Sequence, residues 1–118
     1  NLDEMYFLIA EHAPDGGVQN AVYLKYDQSE GRMYLRSADG STWLGGVVPG
    51  TPFRLENDLV VVRGPGSRVG VANAKTVTVK WVLEFKPAFA GRYNIYMRAV
   101  DALGGDTGWK RKGWLAIH

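Results

Sequence analysis

Two long alternating segments in the last third of the chain restrict what it can fold into. From Thr76 to Phe85, the residues Val77, Val79, Trp81, Leu83 and Phe85 fall on one side, and Thr76, Thr78, Lys80 and Glu84 on the other. A period of two with one apolar side is what a half-buried antiparallel strand requires. A second run, Arg92 to Asp101, follows across a corner built from Lys86, Pro87, Ala88, Phe89, Ala90 and Gly91. Trp81, alternating with Val79 and Leu83, is expected in the core.

Shorter strands are predicted at Glu4–Glu11, Val18–Asp27, Arg32–Ser37, Trp43–Val48, Phe53–Glu56, Leu59–Arg63, Arg68–Ala72 and Gly108–Ile117. Turn signals separate them: Asp15-Gly16-Gly17, Ser29-Glu30-Gly31, Asp39-Gly40, Pro49-Gly50 and Gly64-Pro65-Gly66. Many short strands at this spacing, with no amphipathic helix between them, predict an all-β antiparallel sandwich. At 118 residues the chain reads as one domain, residues 1–118.

The residues withhold most catalytic chemistry. Cysteine is absent, which removes a thiol nucleophile, a cysteine zinc site and a disulfide framework. His12 and His118 are the two histidines, and neither lies in a nucleophile motif, so a histidine triad or zinc centre has no basis. Glu4, Glu11, Glu56 and Glu84 take outward or boundary positions on their strands, which reads as a solvated face rather than a glycosidase pair. The expectation is a protein that is not an enzyme. The net charge of +2 is too small for a nucleic-acid binder, and Lys110-Arg111-Lys112 reads as a solvated strand edge. No apolar run is long enough for a membrane-spanning helix, so no membrane insertion is expected.

Two groups of residues could hold a ligand. Tyr23 and Lys25 share one side of a strand, and Tyr34 and Arg36 share one side of its hairpin partner, with Trp43 beyond the next turn. Together they offer a mixed aromatic and basic surface on which a sugar ring or a partner chain could lie. Asp101 and Asp106 flank a glycine-rich loop and are the candidates for calcium, a hard cation that takes loop carboxylates. Asp15 is a further one. Turn-forming aspartates have the same pattern, and dense Asp/Asn spacing is missing, so no cofactor is expected.

The segment Phe89-Ala90-Gly91-Arg92-Tyr93-Asn94-Ile95-Tyr96-Met97-Arg98-Ala99-Val100-Asp101, with Gly108-Trp109 after a glycine loop, resembles the closing hairpin of immunoglobulin-like and fibronectin-III-like modules. Ala21 to Asp27 with Arg32 to Leu35 and Thr42 to Gly45 resembles another hairpin of such modules. They occur in multidomain secreted bacterial proteins. The resemblance implies an immunoglobulin-like β-sandwich, secreted or at the cell surface, with a structural, spacer or adhesive role and no catalysis. It also implies that Tyr93 serves as the corner tyrosine whose hydroxyl bonds back to backbone. The missing cysteine pair sets the chain apart from antibody-type domains.

Such modules carry one or two strands before the equivalent of Met5 to Ala10, and the start at Leu2 reads as a cut. The partners expected are a polysaccharide or another protein chain, the latter by strand addition at an N-terminal edge strand. Leu2 to Ala10 is apolar on both sides and holds neither lysine nor proline, so something is expected to cover it.

Overall fold

The alternating segments form eleven strands among residues 2–11, 21–73 and 76–117, the residues that a computed structural model describes. They are β1 (Leu2–Ala10), β2 (Val22–Asp27), β3 (Arg32–Arg36), β4 (Trp43–Val47), β5 (Arg54–Glu56), β6 (Val60–Arg63), β7 (Arg68–Asn73), β8 (Thr76–Lys80), β9 (Leu83–Phe85), β10 (Gly91–Asp101) and β11 (Lys110–Ile117). One 3₁₀ turn, Pro87–Phe89, forms the corner before β10. No helix among the described residues is long and apolar enough to cross a membrane. His12, Asp15, Val18 and His118 lie outside the described residues.

The architecture is all-β, antiparallel and sandwich-like. A six-stranded sheet runs in the order β11-β10-β1-β2-β3-β4, and a three-stranded sheet in the order β5-β6-β9. Their facing sides enclose one core. The large sheet supplies Ile9, Val22, Leu24 and Leu35, and the small sheet supplies Leu55, Val60 and Val62. β2 and β3 of the large sheet alternate, β2 reading buried, half-buried, buried through its length. Phe89 is the largest side chain buried in this core. Its ring stacks on Tyr93 with centroids 4.0 Å apart and planes 3° from parallel. Pro87 fixes the corner that aims it inward.

Two expectations change here. The N-terminal strand is not an edge. β1 lies between β10 and β2, with Met5 opposite both Ala99 and Tyr26. Both its backbone edges are therefore paired, and strand addition at this strand has no free edge to use. Its cover comes from the same domain. The second change is at Thr76 to Phe85, which is two strands rather than one. β8 pairs with β7, and β9 pairs with β6. Between the ladders, Gly64 to Ser67 form a turn on one side while Trp81 and Val82 stay unladdered on the other. Trp81 packs against the core but is only half-buried, because the ladder opens at its position.

Ser67 bridges that opening. It is the one buried polar residue of the described chain, fully inaccessible. Its Oγ donates to the Arg63 carbonyl at 2.7 Å and accepts from the Val82 N–H at 3.1 Å. The side chain thus supplies bonds that the backbone ladder would otherwise make. Ser67→Ala leaves a buried amide without an acceptor, and we expect a loss of about 1–3 kcal/mol. A urea midpoint that falls with unchanged slope checks this; an unchanged midpoint would mean water or backbone replaces the hydroxyl at no cost.

Candidate binding face

The side of the large sheet turned away from the core is built from cross-strand rows. One row reads Arg98, Tyr6, Lys25, Tyr34 and Gly45, taken from β10, β1, β2, β3 and β4 in turn. The next holds Tyr96, Leu8 and Tyr23, with Arg36 opposite Trp43 at the far end. Directly opposed side chains in an antiparallel pair are close enough to interact. The rows therefore place aromatic rings beside cations across the sheet.

All five residues expected at a ligand surface come together. The rings of Tyr23 and Trp43 meet edge to face with centroids 4.9 Å apart, and Tyr34 approaches Trp43 at 6.5 Å. The Lys25 ammonium lies 4.6 Å from the centre of Tyr34 and 4.8 Å from that of Trp43. The Arg36 guanidinium lies 5.1 Å from Trp43. Such separations give attraction between cation and ring quadrupole. Arg36 is oriented by the Gly40 carbonyl, to which its Nε and Nη2 donate at 3.0 and 2.7 Å. The Tyr34 hydroxyl donates to the Glu30 carboxylate at 2.5 Å, so its ring is held at both ends.

Three residues of this face were not singled out in the sequence. Tyr6 lies 5.9 Å from Tyr23 and 6.4 Å from Trp43. Trp109, just before β11, meets Tyr23 at 5.5 Å and Tyr6 at 6.2 Å. Arg98 stands 5.2 Å from the Tyr6 ring. The signal for Tyr6 was its parity with Leu8 on a strand apolar on both sides. Trp109 and Arg98 become neighbours of Tyr23 only through the pairing of β1 with β10, which local spacing does not encode. Beneath this layer Leu8 is completely buried, with Ala10, Ala21 and Tyr96 around it.

The charges on the face are mostly paired. Lys25 faces Glu4 at 3.9 Å, and Arg98 holds Asp106 through Nε and Nη2 at 2.6–3.1 Å. The Arg98 guanidinium and the Gly108 N–H hold the Asp106 carboxyl down at about 2. Burial, and then the Glu4 carboxylate, push the Tyr6 hydroxyl well above its ordinary value. Burial likewise raises Tyr23. Tyr6 and Tyr23 therefore stay neutral across the physiological range. The result is an aromatic surface of nearly balanced charge.

The Asp101 and Asp106 carboxylates have different partners. The Asp101 carboxylate accepts from the Leu103 and Gly105 amides at 2.9 and 2.7 Å, closing the glycine turn, while Asp106 is committed to Arg98. No group of three or more potential ligands for a metal ion occurs among the described residues. A shallow cleft of about 380 Å³ opens beside the β3–β4 turn, lined by Ser37, Asp39, Ser41, Asn57 and Asp58 among others. Its polar groups largely satisfy one another. Asp39 accepts from both serine hydroxyls, which hold its carboxyl at about 2, and Asn57 accepts from the Leu59 and Val60 amides.

Elsewhere, Tyr93 sends its hydroxyl toward the Ala90 carbonyl at 3.4 Å. Lys110, Arg111 and Lys112 are exposed on β11, the edge of the large sheet. The outer side of the small sheet is of another kind, with ion pairs of Glu56 with Arg54 and Lys86, and of Glu84 with Arg63. Compared with known proteins, the chain matches no family model, no curated protein and no solved structure.

Proposed function

We propose that this chain is a non-catalytic β-sandwich module of an exported protein, and that it adheres through the outer face of its large sheet. The observation that carries this reading is the aromatic layer of Tyr6, Tyr23, Tyr34, Trp43 and Trp109, gathered from distant parts of the chain onto one side. An ordinary solvated sheet face has no need of five half-buried rings, whose flat bodies make contact area at small entropic cost. The exported setting rests on the resemblance to immunoglobulin-like and fibronectin-III-like modules.

Among ligands, a neutral polysaccharide suits the face best. Lys25 and Arg98 already have carboxylate partners, so the surface offers little free charge for an acidic ligand or nucleic acid. Rings provide apolar contact for the C–H faces of a pyranose, and Arg36 supplies donors at the rim. Native gels cast with cellulose derivative, xylan, mannan or soluble chitin test this. At least one should retard the parent chain, and Tyr34→Ala and Trp43→Ala should each abolish that retardation. Tyr34→Ala is the cleaner variant, since Tyr34 lies at the margin of the layer and its melting temperature should drop little. Full mobility of the parent in every gel would eliminate the sugar reading, and retained retardation in both variants would move the site elsewhere.

A further inference from the structure

The two sheets differ in width, and the small one covers one half of the large one. β5 lies against β3, and Leu55 seats under Gly45 of β4, where an added Cβ would stand 2.8 Å from its Cδ1. On this half the inner residues Val22, Leu24, Tyr26, Met33 and Leu35 are all buried. On the other half Ile9 is buried as well, while the inner residues beyond it are equally apolar and less covered. Phe7, Tyr93, Ile95 and Leu115 are half-buried, and Met97 is 44% exposed. No inner-face residue of β10 or β11 is buried. Apolar residues fit a covered face, and among the described residues the cover stops at β9.

The backbone of β9 is open at the same line. The Arg63 N–H donates to the Val82 carbonyl at 2.9 Å, and the Lys86 N–H to the Leu59 carbonyl at 2.8 Å. Antiparallel ladders alternate, so Val82, Glu84 and Lys86 aim their polar groups at β6. Leu83 and Phe85 then aim their N–H and C=O groups the other way, and among the described residues no strand pairs with that side. Their side chains still pack on the core. Phe85 reaches Phe89 at 5.9 Å, and Phe89 reaches Tyr93 of β10, so the open edge faces the uncovered half.

We propose that β9 receives an extended strand from a partner polypeptide, with apolar side chains at every second position. Amides and carbonyls with no ladder partner among the described residues specify a strand rather than a helix or a sugar. The apolar floor of Phe7, Tyr93, Ile95 and Leu115 specifies the alternation, since only the inward-facing side chains touch it. A second copy fits poorly. Bringing its β9 alongside would drive its own overhanging β1-β10-β11 half into this one. A lone strand has no second layer to collide. This inference uses the opposite side of the sheet from the sugar reading, and either can fail without the other.

Amide exchange followed by NMR on the dilute, full chain is the test, with the peptide acetyl-Lys-Val-Thr-Val-Thr-Val-Lys-amide as probe. In the free chain the Leu83 and Phe85 amides should exchange roughly 100-fold faster than that of Glu84, which faces β6. Millimolar peptide should slow both by about tenfold or more. The same peptide N-methylated at every residue has lost the donors for a ladder and should protect neither. Leu83 and Phe85 amides as slow as Glu84 in a monomer would show the edge is already occupied. Protection that rises with protein concentration, beside a dimer in sedimentation, would assign the edge to a second copy. No slowing at saturating peptide, or equal slowing by the methylated one, would overturn strand addition.

Discussion

Phe89→Ala is expected to cost about 3–5 kcal/mol, the range for emptying a fully buried aromatic site. Phe89 is 1% exposed, and it links the small sheet to the large one through Phe85 and Tyr93. The Phe89 and Ala90 amides bond back to the Lys86 and Pro87 carbonyls, and the Lys86 amide to the Leu59 carbonyl, which ties the turn to the small sheet. Trp81→Ala should cost clearly less, although tryptophan is the larger residue, because Trp81 is only half-buried. Chemical denaturation of the pair decides the point. Equal losses, or a greater loss at Trp81, would mean that the opening between β8 and β9 is closed in solution.

Gly64→Ala should be at least as damaging, with a loss of more than about 3 kcal/mol or outright failure to fold. A Cβ at Gly64 would stand 1.9 Å from the Thr51 carbonyl oxygen and 2.5 Å from the Phe53 nitrogen. Neither atom is free to retreat, since the Gly64 N–H donates to the Phe53 carbonyl at 2.8 Å. Gly31→Ala is the control. Gly31 has φ of +68° with nothing within 4 Å, so alanine there meets backbone strain alone, about 1–2 kcal/mol. Similar melting temperatures for the two variants would show that Thr51 and Phe53 can be displaced cheaply, and that the contact is not a constraint.

Strands were legible in the sequence wherever one side was apolar and the other polar. The turn at Asp39-Gly40 was legible too, and Ser37, Asp39 and Ser41 close it with their side chains. What misled was position along the chain. A strand at the start, apolar on both sides, reads as an exposed edge. In the fold the same composition marks the middle of the sheet, with Ile9 in the main core and Leu8 under the tyrosines of the other side. The break at Trp81 was invisible because alternation continues through it. Only the turn opposite, where Ser67 replaces ladder bonds, divides the ladder. For the binding face, hairpin parity gathered Tyr23, Lys25, Tyr34 and Arg36, whereas Tyr6, Arg98 and Trp109 required knowledge of which distant strands meet.

The pairing of β1 with β10 also sets a timetable for synthesis. Met5 meets Ala99 and Ile9 meets Ile95. At about 5–20 residues per second, a ribosome needs roughly 5–20 s between making the one strand and making its neighbour. Through that interval the nascent chain can form its β2–β3–β4 meander, yet one side of β1 has nothing to bond. A tract apolar in both directions, waiting at the ribosome surface, is a natural substrate for chaperones and a natural seed for aggregation.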